Sequence, residues 1–174
     1  MHKLHCVVGP TATGKTKKAI ELSKLSPSIL VSADSRQVYR GMDIVTGKDH
    51  PKDLVLYGID IVEPEEECSV SVWYNSVTPH IQRAWEEAKQ VIVVGGTGLY
   101  VKALTDGIAT LSVPINQSLR DELSLLSTSK LQMKLKSLDL AKFASMNNSD
   151  VNNPRRLIRA IEVAISPKST LESS

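Results

Sequence analysis

Eight residues near the start of the chain restrict its fold more than any other feature. Gly9-Pro10-Thr11-Ala12-Thr13-Gly14-Lys15-Thr16 satisfies the phosphate-loop pattern G-x-x-x-x-G-K-S/T in full. The pattern has meaning only between a strand and a helix, and both flanks comply. Residues 4–8 are short and largely apolar, as a strand would be. Residues 15–24 space Ala19, Ile20 and Leu22 along one helical face. The glycines let the backbone wrap a phosphate with N–H groups turned inward. The helix N-terminus adds its partial positive charge. Lys15 bridges phosphate oxygens as a point charge, and Thr16 offers a hydroxyl to Mg²⁺. At average composition, a chance match in a chain of this length is on the order of one per cent. The loop does not name its phosphate: a nucleotide and an organic pyrophosphate fit equally well.

The rest of the first half alternates strand and helix. Residues 28–33 read as a second strand, and 54–62 as a third ended by Glu63-Pro64. Residues 91–94 are wholly β-branched and predict a fourth strand buried on both faces. Val72, Val77, Ile81, Trp85 and Ala88 predict a helix over 71–89. The segment 35–48, broken by Gly41 and Gly47, reads as loop. Gly95-Gly96-Thr97-Gly98 turns into a short helix through Leu104. This alternation predicts an α/β fold of the phosphate-loop NTPase type, three layers around a parallel sheet. After Asp106 only helical pieces follow, over 119–126, 131–138 and 140–146. Asn153-Pro154 then caps and opens another, with Ile158, Ile161 and Ile165 as its stripe. The expected organisation is a core over 1–110 and a helical segment over 111–174. The polar end, 166–174, is expected to fray.

Composition removes several classes. At 174 residues the chain is too short for a TIM barrel, which takes about 250. Aromatics are 4%, so the core is expected to be aliphatic. Twenty-one basic residues face 19 acidic ones, a net charge of +2, so any basic surface must be local. Cys6 and Cys68 have no metal-ligand spacing. Cys6 sits in an apolar run and reads as a small buried side chain. With no disulfide scaffold, no secretory core and no apolar run near 20 residues, a cytoplasmic protein without a membrane partner is expected.

A phosphate-loop kinase or NTP hydrolase usually places an Asp at a neighbouring strand end to hold Mg²⁺. The fourth strand ends in Gly95-Gly96-Thr97 and offers none. The second strand does, at Asp34, where open α/β sheets bind ligands. Two roles compete for this carboxylate: water-mediated metal binding, and general base toward an acceptor. A plain loop-capping Asp is the structural alternative.

The motifs beyond the loop carry a resemblance. Asp34-Ser35-Arg36-Gln37-Val38-Tyr39-Arg40-Gly41-Met42-Asp43-Ile44, Thr46-Gly47-Lys48, Gly95-Gly96-Thr97-Gly98-Leu99-Tyr100 and Asn153-Pro154-Arg155-Arg156-Leu157-Ile158-Arg159 follow the phosphate loop in order. Together they closely resemble the tRNA dimethylallyltransferase family. The resemblance implies transfer of a dimethylallyl group from dimethylallyl pyrophosphate to N6 of the adenine beside a tRNA anticodon. The loop from Gly9 to Thr16 would then hold pyrophosphate, with Mg²⁺ at Thr16. Asp34 would be the base, Lys15 would stabilise the leaving group, and Thr97 would lie near the reacting centre.

By the same resemblance, Asp34, Ser35, Arg36, Gln37 and Thr97 meet the tRNA base and its neighbours. Arg120, Arg155, Arg156, Leu157, Ile158 and Arg159 touch the tRNA anticodon arm, and the helical segment is part of an RNA-gripping insertion. A monomer is expected. For Thr97 the competing reading is a helix N-cap. For the arginines it is a solvated helix surface with Glu162 paired to Arg159. Three other functions remain open: dimethylallyl transfer to free AMP, ADP or ATP, a small-molecule kinase, and a non-catalytic fragment that binds pyrophosphate or RNA.

Overall fold

Four parallel strands set the frame: β1 (Leu4–Val8), β2 (Ser28–Ser32), β3 (Leu56–Tyr57) and β4 (Gln90–Gly95), in the order β1-β4-β2-β3. The computed structural model describes residues 3–48, 54–108 and 110–166. β4 lies between β1 and β2, so Val91, Ile92, Val93 and Val94 are buried on both faces, as their β-branched run predicts. Helices α1 (Lys15–Ser23), α2 (Asp43–Thr46), α3 (Val70–Glu86) and α4 (Gly98–Thr105) complete this part. Side chains alternate across the sheet. Val31, Val91 and Val93 pack with Trp73, Val77, Ile81 and Ala84 of α3. Leu30, Ile92 and Val94 pack with Ala19 of α1. Helices thus cover both faces, and the three layers are present. Each fully buried Leu or Ile here contributes about 1.5–3 kcal/mol.

In this part, three details depart from the sequence expectation. The third strand is two residues long instead of nine. After Tyr57 the chain turns at Gly58 (φ +85) and Asp60 (φ +53), and Val62 rejoins only as a single bridge to Tyr39. Gly58 lies where a Cβ would meet the Ser32 carbonyl at 2.6 Å and the Trp73 indole nitrogen at 2.9 Å. Residues 43–46 form the short helix α2 inside the expected loop. Cys6 is exposed, not buried, because β1 pairs with β4 along one edge only. An apolar run signals a strand, but not that the strand is interior.

The contacts divide the chain into two units, Met1–Ile108 and Ala109–Ser174. The second unit holds α5 (Gln117–Ser124), α6 (Thr128–Leu138), α7 (Leu140–Ser145), α8 (Asn148–Val151) and α9 (Pro154–Ile165). Its core is Leu123, Leu131, Leu135, Leu157, Ala160 and Ile161. Polar side chains start each helix: Asn116, Ser127, Asp139, Asn147 and Asn153 all accept a first-turn N–H. Asn153-Pro154 opens α9 as its sequence predicts. The short helix α8 was not expected. The polar end from 167 lies outside the described residues.

Among the glycines of the first unit the closest quarters are at Gly95, where a Cβ would stand 2.2 Å from the Ala33 carbonyl oxygen. Gly95→Ala should cost about 3 kcal/mol, seen as a lowered urea midpoint. Gly98→Ala, where nothing lies within 4 Å, should leave the midpoint unchanged or slightly raised.

Candidate functional site

The loop between β1 and α1 forms a concavity by backbone geometry. Ala12 (φ +63) and Gly14 (φ +77) both take the left-handed conformation. Such turns aim successive N–H groups into one hollow. Thr13 Oγ1 donates to the Pro10 carbonyl at 2.8 Å and Lys15 Nζ to the same oxygen at 2.5 Å, bracing the loop across its width. Gly14 is the N-cap of α1 and supplies no side-chain acceptor. The first-turn N–H groups of α1 are therefore left for an anion. A cleft of about 410 Å³ opens here, within the usual range for small-molecule sites. Residues 11–17 line it, together with Asp34, Gln37, Thr46, Gly47, Leu56, Val94, Gly95 and Gly96.

At the lip of the cleft, the exits of β2 and β4 are tied together. The Ala33 N–H donates to the Val94 carbonyl (2.8 Å), and the Thr97 N–H to the Ala33 carbonyl (3.0 Å). Thr97 occupies the N-cap position of α4, yet its side chain does not cap that helix. Its Oγ1 accepts from the Ser35 N–H at 2.9 Å and lies 3.3 Å from the Ser35 hydroxyl. Asp34 is half-buried. One carboxylate oxygen accepts from the Arg36 N–H at 2.9 Å, the turn that a capping Asp makes. Among the described residues the other oxygen has no partner, and Asp34 lines the cleft. Ser35 and Arg36 are exposed at the rim. Gln37 is held inside: its Oε1 accepts from Ser32 Oγ at 2.8 Å, and its Nε2 stands 3.5 Å from the Gly47 carbonyl. Asp34, Gln37, Lys15 and Thr16 thus share one cleft, with Thr97 bonded to its rim. Among the described residues no group of three acidic, His or Cys side chains gathers to hold a metal. One hydroxyl and one carboxylate suit a cation such as Mg²⁺, which takes most of its ligands from phosphate and water.

Behind this lip, Tyr100 stacks on Trp73 with ring centroids 4.3 Å apart, and burial pushes the Tyr100 phenol pKa upward. Thr46, Gly47 and Leu56 are cleft residues that the sequence assigned no role. Leu56 looked like sheet core. Thr46-Gly47-Lys48 carried only a resemblance, although Gly47 at φ +59 ends α2 and sets the wall.

In the helical unit the arginines divide. Glu162 is 3% exposed and accepts from Arg120 Nε (2.9 Å) and Nη2 (2.8 Å), from the Asn116 N–H (2.8 Å) and from Arg159. Arg159 also donates to the carbonyls of Thr110 and Val113. The Glu162–Arg159 pair weighed from the sequence is therefore present, and Arg120 joins it. Arg155 and Arg156 are exposed. Arg156 pairs with Asp150, and Arg155 has no partner among the described residues. Leu157 fills the core and Ile158 packs against it. Burial alone would raise the Glu162 pKa, but hydrogen bonds from Arg120, Asn116 and Arg159 outweigh it and hold it at about 2.

Known proteins supply a comparison. The family profile described as IPP transferase matches residues 37–174, and one described as isopentenyl transferase matches residues 2–58. A tRNA dimethylallyltransferase of Treponema pallidum is 41% identical over 170 residues, 94% of this chain and 52% of its own length. One from Exiguobacterium is 37% identical over 166 residues, 91% of this chain and 52% of its own. This chain spans about half the length of these curated relatives. Among solved structures, a tRNA isopentenylpyrophosphate transferase of Bacillus halodurans aligns with a TM-score of 0.61 at 35% identity, over 100% of this chain and 57% of its own. A eukaryotic dimethylallyltransferase solved acting on tRNA shares the fold, with a TM-score of 0.78 at 24% identity over 94% of this chain and 41% of its own.

The depressed Glu162 pKa links the helical unit's stability to pH. A carboxylate held below its ordinary 4.5 contributes fully above that value and loses its contribution as pH falls toward about 2. Urea unfolding should show a flat plateau above pH 5 and a loss of about 3 kcal/mol between pH 5 and 2. Glu162→Gln should remove most of that slope.

Proposed function

The chain belongs to the IPP transferase family, and on that premise we propose that it transfers a dimethylallyl group from dimethylallyl pyrophosphate to N6 of the adenine 3′-adjacent to a tRNA anticodon. The observation that carries this reading is the one cleft lined by both the phosphate loop and Asp34, whose carboxylate has an oxygen without a partner among the described residues. β4 brings no carboxylate to that space, which favours a pyrophosphate leaving group over a phosphoryl donor.

The transfer breaks the allylic C1–O bond and forms a C1–N6 bond. Negative charge develops on the departing pyrophosphate. The loop N–H groups, preset by the turns at Ala12 and Gly14, stabilise it, and Lys15 adds its charge from beside the loop. Thr16 would hold Mg²⁺, which supplies further charge to the pyrophosphate oxygens. The exocyclic amine is a weak nucleophile and must lose a proton; Asp34 takes it. The bond from the Arg36 N–H holds the carboxylate in one orientation while leaving the second oxygen for that proton. Thr97 and Ser35, bonded to each other, steady the rim where the acceptor enters. The adenine must leave its stack to reach such a cleft. Gln37 and Arg36 are placed to meet it.

The exposed Arg155 and Arg156 suit tRNA phosphates, whereas Arg120 and Arg159 serve the Glu162 cluster. A tRNA acceptor implies a cytoplasmic protein, and among the described residues no helix is long and apolar enough to cross a membrane. We infer that the chain acts as a monomer; Asp34 and the loop belong to one chain, so the cleft they line draws neither from a second copy.

Labelled dimethylallyl pyrophosphate, Mg²⁺ and a tRNA with adenines beside its anticodon test the reading: label should move to the tRNA. Label on AMP instead would replace the acceptor, and no transfer with intact pyrophosphate binding would reject the reaction. Asp34→Asn keeps the Arg36 bond and should lower kcat by about 10²–10⁴-fold while inorganic pyrophosphate affinity changes by less than about twofold. Lys15→Ala should do the opposite first, weakening pyrophosphate binding by about tenfold or more.

A further inference from the structure

Lys48 has a wholly buried side chain beside a surface loop. Its ammonium uses all three donors: to the Tyr39 carbonyl (2.5 Å), to Asp43 Oδ1 (3.0 Å) and to Asp60 Oδ1 (2.5 Å). These acceptors come from three places: the loop after β2, the start of α2, and the turn after β3. Burying an ammonium costs several kcal/mol, and an apolar pin would hold two loops together at less expense. What the ammonium adds is direction, since three fixed acceptors define one position for it. Burial by itself would push its pKa down, and the bonds to Asp60 and Asp43 hold it up instead, so the charge stays.

The ammonium reaches the cleft through Asp60. That residue sits in the left-handed region, at a cost of about 1–3 kcal/mol. Its N–H donates to the Gln37 carbonyl (3.1 Å), and its carbonyl accepts from Arg40 Nε (3.0 Å). Gln37 in turn spans Ser32 and Gly47. The Gly47 carbonyl can only accept, so the Gln37 amide turns its NH₂ toward it. The Lys48 N–H itself bonds the Asp43 carbonyl and closes α2 beside Gly47. None of these bonds reaches the phosphate loop.

We propose that Lys48 is a positioning residue: its buried ammonium pins the loop that carries Gln37 and Gly47 to the turn at Asp60, and so fixes the acceptor-facing wall of the cleft independently of the phosphate grip. This rests on the acceptor reading above for its functional half. The wall holds one face of the acceptor pocket still, and losing the pin weakens recognition of the acceptor and leaves the donor alone.

The test uses the full chain with Lys48→Met, and Asp60→Asn as a milder second variant that keeps an acceptor oxygen. In Lys48→Met, amide exchange at Arg40, Asp60, Ile61 and Val62 should quicken about tenfold or more, with Val91 to Val94 unchanged. Affinity for inorganic pyrophosphate with Mg²⁺ should stay within about twofold. KM for tRNA should rise about tenfold with KM for dimethylallyl pyrophosphate unchanged. Asp60→Asn should shift the same readouts in the same direction by less. Unchanged exchange around Asp60 in both variants overturns the proposal. So does a loss of pyrophosphate affinity as large as the loss for tRNA. If the wild-type chain transfers nothing, the function proposed above fails, while the exchange and pyrophosphate measurements still decide the role of Lys48.

Discussion

Two main-chain hydrogen bonds, Ala33 N–H to the Val94 carbonyl and Thr97 N–H to the Ala33 carbonyl, hold the exits of β2 and β4 side by side. They need Gly95, since any side chain there would collide with the Ala33 carbonyl. Because of them Ser35 and Thr97, 62 positions apart in sequence, share a hydrogen bond at the rim of the cleft. The same tie sets Asp34 against the phosphate loop, which leaves β1 on the other side of β4. The site is therefore a product of strand order: a central strand with no charged residue at its end brings two functional loops together.

The two halves of the proposed chemistry are handled by different kinds of group. Phosphate is met chiefly by backbone, from turns at Ala12 and Gly14 and the open end of α1, with the Lys15 ammonium as the one added side-chain charge. Backbone donors cannot swing away, which suits a charge that appears only as a bond breaks. The proton is met by a side chain, Asp34, restrained by one N–H bond. A wall of Gln37, Thr46 and Gly47 completes the cleft and draws its rigidity from the buried Lys48.

What could be read in the sequence follows from how local each signal is. The phosphate loop, the β-branched run of β4 and the Asn153-Pro154 start of α9 are written in adjacent residues, and all three form as read. The shortened third strand could not be read, because Gly58 is required by Ser32 and Trp73, residues far away in sequence. The exposure of Cys6 depends on strand order, which no five-residue window contains. Lys48 was hardest to read: a lysine in a Gly-rich loop looks solvated until Asp43 and Asp60 are seen to converge on it. At the site, Asp34 and the loop were legible from strand ends alone, whereas the Thr97–Ser35 bond was not.

The Glu162 cluster changes how the helical unit's charge should be counted. Arg120 and Arg159 stand close in the fold, and by composition each would be one cation facing a polyanion. Their guanidiniums are instead partly shielded and already balanced by a buried carboxylate. A cation already balanced by an internal partner neutralises little of an incoming phosphate's charge, and so displaces few of the cations condensed on a polyanion. The slope of log affinity against log salt scales with such exchanges, at about 0.9 per phosphate neutralised on B-DNA and about 0.7 on single strands. A ligand of this unit would thus meet a surface whose response to ionic strength is set by its exposed cations, the unpaired Arg155 first among the arginines described, and is shallower than its arginine content suggests.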